Sequence, residues 1–350
     1  MPFAPSPSGP IFEALYIMAR RVALNGFGRI GRNVLRSAYA DPEIEFVHIN
    51  DLASDEMLTH LLQYDTVHGR FGADVTVEDG GIKVDGTLIR TSTTRNPADL
   101  PWADIGVDVV MECTGLFRSR EGASLHLGAG AKRVIISAPG SDPDLTVCVG
   151  VNHTDLRPEH RIISNASCTT NCLAPVAKVL DTEFSIEGGL ITTIHSYTMD
   201  QRLLDAPHKD PRRSRAAALN IVPTTTGAAE AVGLVLPQLA GKLNGLSIRV
   251  PTPNVSLVDL VFQSREVLTV ERINAALSSA ATGKLQGILE FSTAPLVSSD
   301  LIGNPHSAIV DGLSTQVMGT NMAKVMAWYD NEWGFSNRMV DLAKRLALLG

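Results

Sequence analysis

The segment Arg21-Val-Ala-Leu-Asn-Gly-Phe-Gly-Arg-Ile-Gly-Arg32 constrains this chain more than any other. An apolar strand, Val22–Leu24, runs into Gly26, Gly28 and Gly31, and then into helical spacing at Ile30, Val34 and Leu35. Gly26 suits a tight turn, Gly28 lets backbone approach a pyrophosphate, and Gly31 lets the helix pack close on the strand. The helix N-terminus then faces the anion. A lone glycine fingerprint is weak, but here a second strand, Glu45-Phe-Val-His-Ile-Asn50, ends at Asp51, twenty residues beyond Gly31. A carboxylate there accepts both ribose hydroxyls of an adenosine. It also repels a 2′-phosphate, so NAD is expected over NADP.

With 350 residues, the chain is long enough for two domains. Its 44% hydrophobic and 19% charged residues, with a mean hydropathy of +0.09, predict a well-packed globular fold. A net charge of −7 argues against nucleic-acid or anionic-membrane binding, which need a basic face. No window approaches the ~18 uninterrupted apolar residues of a spanning helix. Residues 1–10 carry four prolines and no charge, and Glu13 interrupts the next apolar run, unlike a secretory signal. Residues 1–19 are therefore expected to be an extension without a fixed fold. The four cysteines, Cys113, Cys148, Cys168 and Cys172, show no disulfide spacing, so a reducing, cytoplasmic setting is expected. Cys168 and Cys172 lack a second pair to complete a zinc site, and no metal is expected.

Further strands are readable at Asp108–Cys113 and Arg133–Ser137, suited to a parallel sheet whose C-terminal edges line a cofactor crevice. Residues 71–100 alternate like antiparallel strands, predicting a hairpin insertion. Cys113 and Cys148 read as small core residues. Beyond Val151, Arg161-Ile-Ile-Ser-Asn165 opens into Ala-Ser-Cys-Thr-Thr-Asn-Cys-Leu-Ala-Pro. Ser167 is a plausible N-cap, which sets Cys168 in the first helical turn, where unpaired N–H groups lower a thiol's pKa. Pro175 is expected to kink or interrupt that helix. A strand, Leu190–Ile194, then delivers His195, able to hydrogen-bond a thiolate and carry a proton. Taken singly, Cys168 could be a core cysteine and His195 a satisfied polar residue. Beside a dinucleotide site they suit aldehyde oxidation: thiohemiacetal formation, then hydride transfer to leave a thioester.

Three motifs together are highly specific: Asn25-Gly-Phe-Gly-Arg-Ile-Gly-Arg32, Ser164-Asn-Ala-Ser-Cys-Thr-Thr-Asn-Cys172 and Trp328-Tyr-Asp-Asn-Glu-Trp-Gly334. Through them the chain resembles the phosphorylating glyceraldehyde-3-phosphate dehydrogenases, from about Arg21 to its end. The resemblance implies a homotetramer and an eight- or nine-stranded mixed sheet in the catalytic domain. It implies Cys168 as nucleophile and His195 as base. It implies NAD contacts at Arg29, Ile30, Asp51, Arg95, Ser137 and Asn331, beside Gly26, Gly28 and Gly31. Thr198, Asp200 and Arg249 match positions holding the substrate phosphate. Ser167, Thr169, Arg213, Thr226 and Gly227 match those around inorganic phosphate. Residues 197–222 resemble the loop that passes near a neighbouring subunit's cofactor. Ala206 stands before Pro207 where strictly NAD-specific relatives often carry leucine, so some NADP use is compatible with the sequence.

The expected architecture is α/β. A Rossmann NAD-binding domain with a parallel sheet spans residues 20–167, completed by a C-terminal helix at 334–350. An α+β catalytic domain with a mixed or antiparallel sheet spans residues 168–333. The nearest competing activity is erythrose-4-phosphate dehydrogenase, which the chain resembles at Pro305-His-Ser-Ala-Ile-Val-Asp-Gly312. A non-catalytic NAD-binding sensor is the alternative of another class.

Overall fold

The computed structural model of the chain describes residues 19–347 and Leu349. The expectation for the N-terminal extension lies outside the described residues. Among the described residues, nine strands form one sheet, in the order Leu145–Thr146, Ile162–Ser164, Arg133–Ile136, Val109–Glu112, Arg20–Asn25, Ile44–Asn50, Thr87–Ser92, Gly81–Val84 and Val75–Glu78. The first seven run parallel; Gly81–Val84 then pairs antiparallel with Thr87–Ser92, and Val75–Glu78 antiparallel with Gly81–Val84. The hairpin expected within residues 71–100 therefore extends the nucleotide sheet at its edge.

A second sheet of eight strands centres on Ile186–Ser196, flanked by Leu243–Val250 in parallel and Ser256–Ser264 in antiparallel. Met322–Tyr329 pairs with Ser256–Ser264, and the mixed sheet has the strand count that the resemblance implied. Along Met322–Tyr329 half-buried and buried residues alternate, the period-two pattern of a strand with one face packed.

Each sheet has its own core. Val22, Leu24, Ile49 and Met111 pack with Phe335, Met339 and Leu346 of the terminal helix Trp333–Ala347, which lies on the first sheet although it follows the last strand of the second. Leu173, Val176 and Leu180 of the helix Cys168–Phe184 pack with Ile191, Leu260 and Phe262 of the second sheet. Cys168 touches both cores, so the helix starts at the seam between the two sheets.

The interruption that Pro175 could cause does not occur: the helix runs unbroken to Phe184. Proline removes one backbone hydrogen bond, but every residue from Thr169 to Ala177 is buried, and packing on all sides holds the course of the helix.

Candidate active site

The glycines of the first turn do what their positions require. Gly26 has φ +94°, and a Cβ there would stand 2.7 Å from the Thr114 nitrogen. A Cβ on Gly31 would stand 2.3 Å from the Gly26 carbonyl oxygen, so helix and strand could not approach as closely. Gly28 differs, with no atom within 4 Å of its Cβ position. It precedes the helix Arg29–Ala38 and supplies no side-chain cap, so the first N–H groups of that helix face open space. Open space, unpaired donors and a positive helix end fit a pyrophosphate.

Around this turn, Asp51 is pinned by main-chain N–H groups: Oδ2 accepts from Phe27 N, in the glycine turn, at 2.7 Å and Oδ1 from Ala53 N at 3.1 Å. Arg95 is exposed and follows Thr94, whose N–H is held by Asn50 Oδ1 at 2.9 Å. Ser137 ends the strand Arg133–Ile136 and bonds Cys113. Burial pushes the thiols of Cys113 and Cys148 up to about 12; Cys148 is a buried core residue, as expected, whereas Cys113 is half-buried against the first core. Ile30 packs half-buried on the first core. The Arg29 guanidinium is committed to Asp65 and Glu332, so any contact of Arg29 with a cofactor falls to its main chain. Asn331, from the far side of the crevice, accepts the Ser256 hydroxyl on Oδ1 at 2.8 Å. That bond leaves its amide N–H groups free to donate.

At the seam, Ser167 N-caps the cysteine helix, its hydroxyl accepting from Thr170 N at 3.0 Å. Cys168 Sγ then lies 3.5 Å from His195 Nε2. His195 Nδ1 stands 2.7 Å from the Ser196 carbonyl oxygen, an acceptor only, so Nδ1 carries the proton and Nε2 presents its lone pair to sulfur. Burial is the largest influence on both groups. It pushes the imidazole down to about 3, helped by the Arg249 charge, and pushes the Cys168 thiol up despite Arg249 and the bonds around Thr169. Desolvation at the seam thus opposes the lowering expected from the helix N-terminus.

His195 and Arg249 are register partners on adjacent parallel strands, which sets imidazole and guanidinium side by side on one face. Arg249 Nη1 donates to the Ser196 oxygen at 3.1 Å and to Thr198 Oγ1 at 3.2 Å, and its Nε is buried without a partner. A half-buried guanidinium whose bonds all go to neutral oxygens is a site for an anion. Asp200 and Arg213, assigned to different phosphates from the sequence, are one ion pair, with His208 Nε2 3.5 Å from Asp200. Arg213 continues to Thr224 Oγ1 at 3.0 Å and the Thr225 oxygen at 3.2 Å, one residue before Thr226 and Gly227. Gly227 N-caps the helix Ala228–Val235 with nothing within 4 Å of its Cβ position.

Other residues of this region escaped sequence reasoning. The Tyr329 hydroxyl bridges Thr169 Oγ1 at 2.8 Å and Thr193 Oγ1 at 2.9 Å, and its ring packs edge-on against His195 at 5.9 Å. Thr169, read as a phosphate ligand, has its hydroxyl in this bridge. Ser256 links Ser196 N, at 3.1 Å, to Asn331. Tyr329 and Ser256 lie opposite each other in the strand register, a pairing that only the folded sheet creates.

A phosphate turn on one sheet, with a thiol, an imidazole and an anion-seeking arginine on the other, defines the class: a dinucleotide-dependent oxidoreductase. Comparison with known sequences narrows it. Residues 20–120 match the glyceraldehyde 3-phosphate dehydrogenase NAD binding domain, and residues 167–331 match the C-terminal domain of the same enzymes. The chain is 57% identical over 334 residues to glyceraldehyde-3-phosphate dehydrogenase 1 of Bacillus subtilis (strain 168), covering 95% of this chain and all of that one. It is equally similar to the Geobacillus stearothermophilus enzyme, with the same coverage. The chromosomal enzyme of Cupriavidus necator is also 57% identical, over 94% of this chain and 99% of its own. The chain belongs to the glyceraldehyde-3-phosphate dehydrogenase family.

Proposed function

We infer that this protein oxidises glyceraldehyde 3-phosphate with NAD and inorganic phosphate to 1,3-bisphosphoglycerate, through a thioester on Cys168. The observation that carries the reading is the thiol–imidazole contact, with Nε2 held as acceptor, beside a guanidinium that has no carboxylate of its own. The family gives the reading its substrate.

Cys168 gives its proton to His195 Nε2 as the sulfur attacks the aldehyde carbon, and the new alkoxide takes that proton to become a thiohemiacetal. The glycine turn and the Asn331 amide would hold NAD, which would supply the hydride acceptor. His195 takes the hydroxyl proton back as the hydride leaves the carbon, and a thioester and an imidazolium remain. Arg249 and Thr198 hold the substrate phosphate, with Asp200 orienting Arg213. Ser167, Thr169, Arg213, Thr226 and Gly227 surround the attacking inorganic phosphate. A phosphate oxygen adds to the thioester carbonyl, the carbon–sulfur bond breaks, and the thiolate recovers its proton from His195. The phosphate's own proton goes to solvent.

A cytoplasmic homotetramer completes the reading. Its support is a run of exposed apolar side chains, Leu203, Leu204, Leu219 and Ile221, in the segment between residues 197 and 222, with Leu190 and Leu246 on the adjoining strands. All four cysteines are free, as a reducing compartment keeps them. No helix among the described residues is long and apolar enough to cross a membrane.

The test is a steady-state assay of glyceraldehyde 3-phosphate and erythrose 4-phosphate with NAD and NADP, each with and without inorganic phosphate. Phosphate-dependent NAD reduction by the triose is the expected result. Preference for erythrose 4-phosphate would move the protein to the sister activity, and turnover with neither would leave a cofactor-binding protein.

A further inference from the structure

Behind the phosphate turn lies a buried polar chain that the reaction does not use. Glu112, at the end of the strand Val109–Glu112, and His126, in the helix Arg120–Gly128, both have fully buried side chains. Trp102 Nε1 donates to His126 Nδ1 at 3.0 Å. An indole N–H can only donate, so Nδ1 is the acceptor and the ring proton sits on Nε2. That nitrogen lies 3.1 Å from Glu112 Oε2 and donates to it. Asn25 Nδ2 donates to the same oxygen. Two donors 3.4 Å apart thus converge on Oε2. The other oxygen, Oε1, accepts from Thr114 N at 2.8 Å and from the Thr114 hydroxyl. Every lone-pair direction of the carboxylate is filled by a donor, and only an acceptor-only group fits the position.

The consequence travels across the sheet. With Asn25 Nδ2 turned to Glu112, Asn25 Oδ1 must face the next strand, where it accepts from Asn50 Nδ2 at 2.7 Å. Asn50 Oδ1 is thereby turned to the Ser92 hydroxyl at 2.8 Å and to Thr94 N at 2.9 Å. The Asn50 main-chain oxygen also holds Gly26 N at 2.8 Å. The chain therefore ends on the residue before Arg95, beside Asp51, and under the glycine turn.

We propose that Glu112 is a positioning residue for the cofactor: its acceptor-only carboxylate sets the amide orientations of Asn25 and Asn50, and through them the loops that bear Gly26, Asp51, Arg95 and Thr114. The inference rests on the cofactor reading above and extends it to residues that touch no cofactor atom. Replacing one carboxylate oxygen by an amide places a donor against donors, either Thr114 or the Asn25–His126 pair. Turning Asn25 to relieve the clash passes it to Asn50, and turning Asn50 passes it to the Thr94 N–H.

The test is NAD binding to the cofactor-free protein, by calorimetry, alongside steady-state kinetics. Glu112→Gln is expected to weaken the NAD Kd and raise the NAD KM at least tenfold, while turnover at saturating NAD falls less than threefold. Adding Asn25→Asp, to give E112Q/N25D, restores an acceptor facing the introduced amide and Asn50 and leaves only the His126 donor opposed, so it should recover at least threefold, and not all, of the lost affinity. An E112Q Kd within twofold of wild type, or a double variant that binds no tighter than the single one, overturns the proposal. Should E112Q fail to fold, Trp102→Phe, which releases the His126 tautomer, is expected to weaken NAD binding two- to fivefold; unchanged affinity overturns the proposal equally. A wild-type protein that binds no NAD would fail the cofactor reading itself, a distinguishable result.

Discussion

His126 beneath the nucleotide turn and His195 at the seam are both buried, and in each a neighbour settles which ring nitrogen carries the proton. Trp102 donates to His126, so its Nε2 is a donor, aimed at a carboxylate already receiving other donors. The Ser196 carbonyl accepts from His195, so its Nε2 is an acceptor, aimed at a thiol. Around His126, Glu112, Asn25 and Asn50 satisfy one another. Beside His195, the Arg249 Nε is buried without a partner. Burying such groups costs free energy that a bound anion or substrate can offset. A saturated polar cluster holds geometry, and an unsaturated one is open to a ligand.

That contrast can be broken most forcefully at the seam. Cys168→Ser is expected to lower kcat by about 10⁴-fold or more while NAD affinity stays within twofold of wild type. Residual phosphate-dependent turnover above that level would show that the sulfur is not the nucleophile. Next, His195→Asn should lower kcat/KM by about 10³-fold, the scale of a lost general base. Arg249→Leu should raise the KM of the phosphorylated aldehyde by roughly 10²-fold and leave unphosphorylated glyceraldehyde almost unaffected. An equal effect on both substrates would move Arg249 from the phosphate to the reacting carbon.

Two pH experiments sharpen the same comparison with smaller effects. Because burial raises the Cys168 thiol above its ordinary value, the alkylation rate of the cofactor-free protein should climb about tenfold per pH unit from pH 6 to 8. A plateau across that range would mean a thiolate–imidazolium pair instead. For stability, burial lowers His195 to about 3 and His48 to about 4, below the unfolded value near 6.5. Between those values the unfolded chain binds more protons than the folded one, so stability falls as the pH drops below about 6.5. Each histidine contributes about 1.4 kcal/mol per pH unit to that fall. His195→Asn should therefore flatten the acid limb of a urea-midpoint profile, and an unchanged slope would show that the imidazole is charged when folded.

The phosphate turn was legible because its requirements are local: a positive φ at Gly26, a close approach at Gly31 and space at Gly28 each concern one residue and its immediate chain. Ser167 as cap, the strand that delivers His195 and the terminal helix were readable for the same reason. Where local reasoning failed, burial or a distant partner decided the outcome. Helix-end chemistry pointed the Cys168 thiol downward, and desolvation by two converging cores pushed it upward. Asp200 and Arg213 were separated by role and joined by the fold. Tyr329 stood inside a quoted motif, yet nothing in its neighbours along the chain showed that it would tie Thr169 to Thr193.

The amino-acid sequence by itself determined the two kinds of sheet, the nucleotide turn and the identity of the thiol and the imidazole, since spacing along the chain dictates backbone geometry and the chemical type of each group. Tertiary structure alone decided the direction of every proton and the pairing of every buried charge. Those depend on which donor from another strand arrives at each acceptor, and how little water remains there once the two cores close around Cys168.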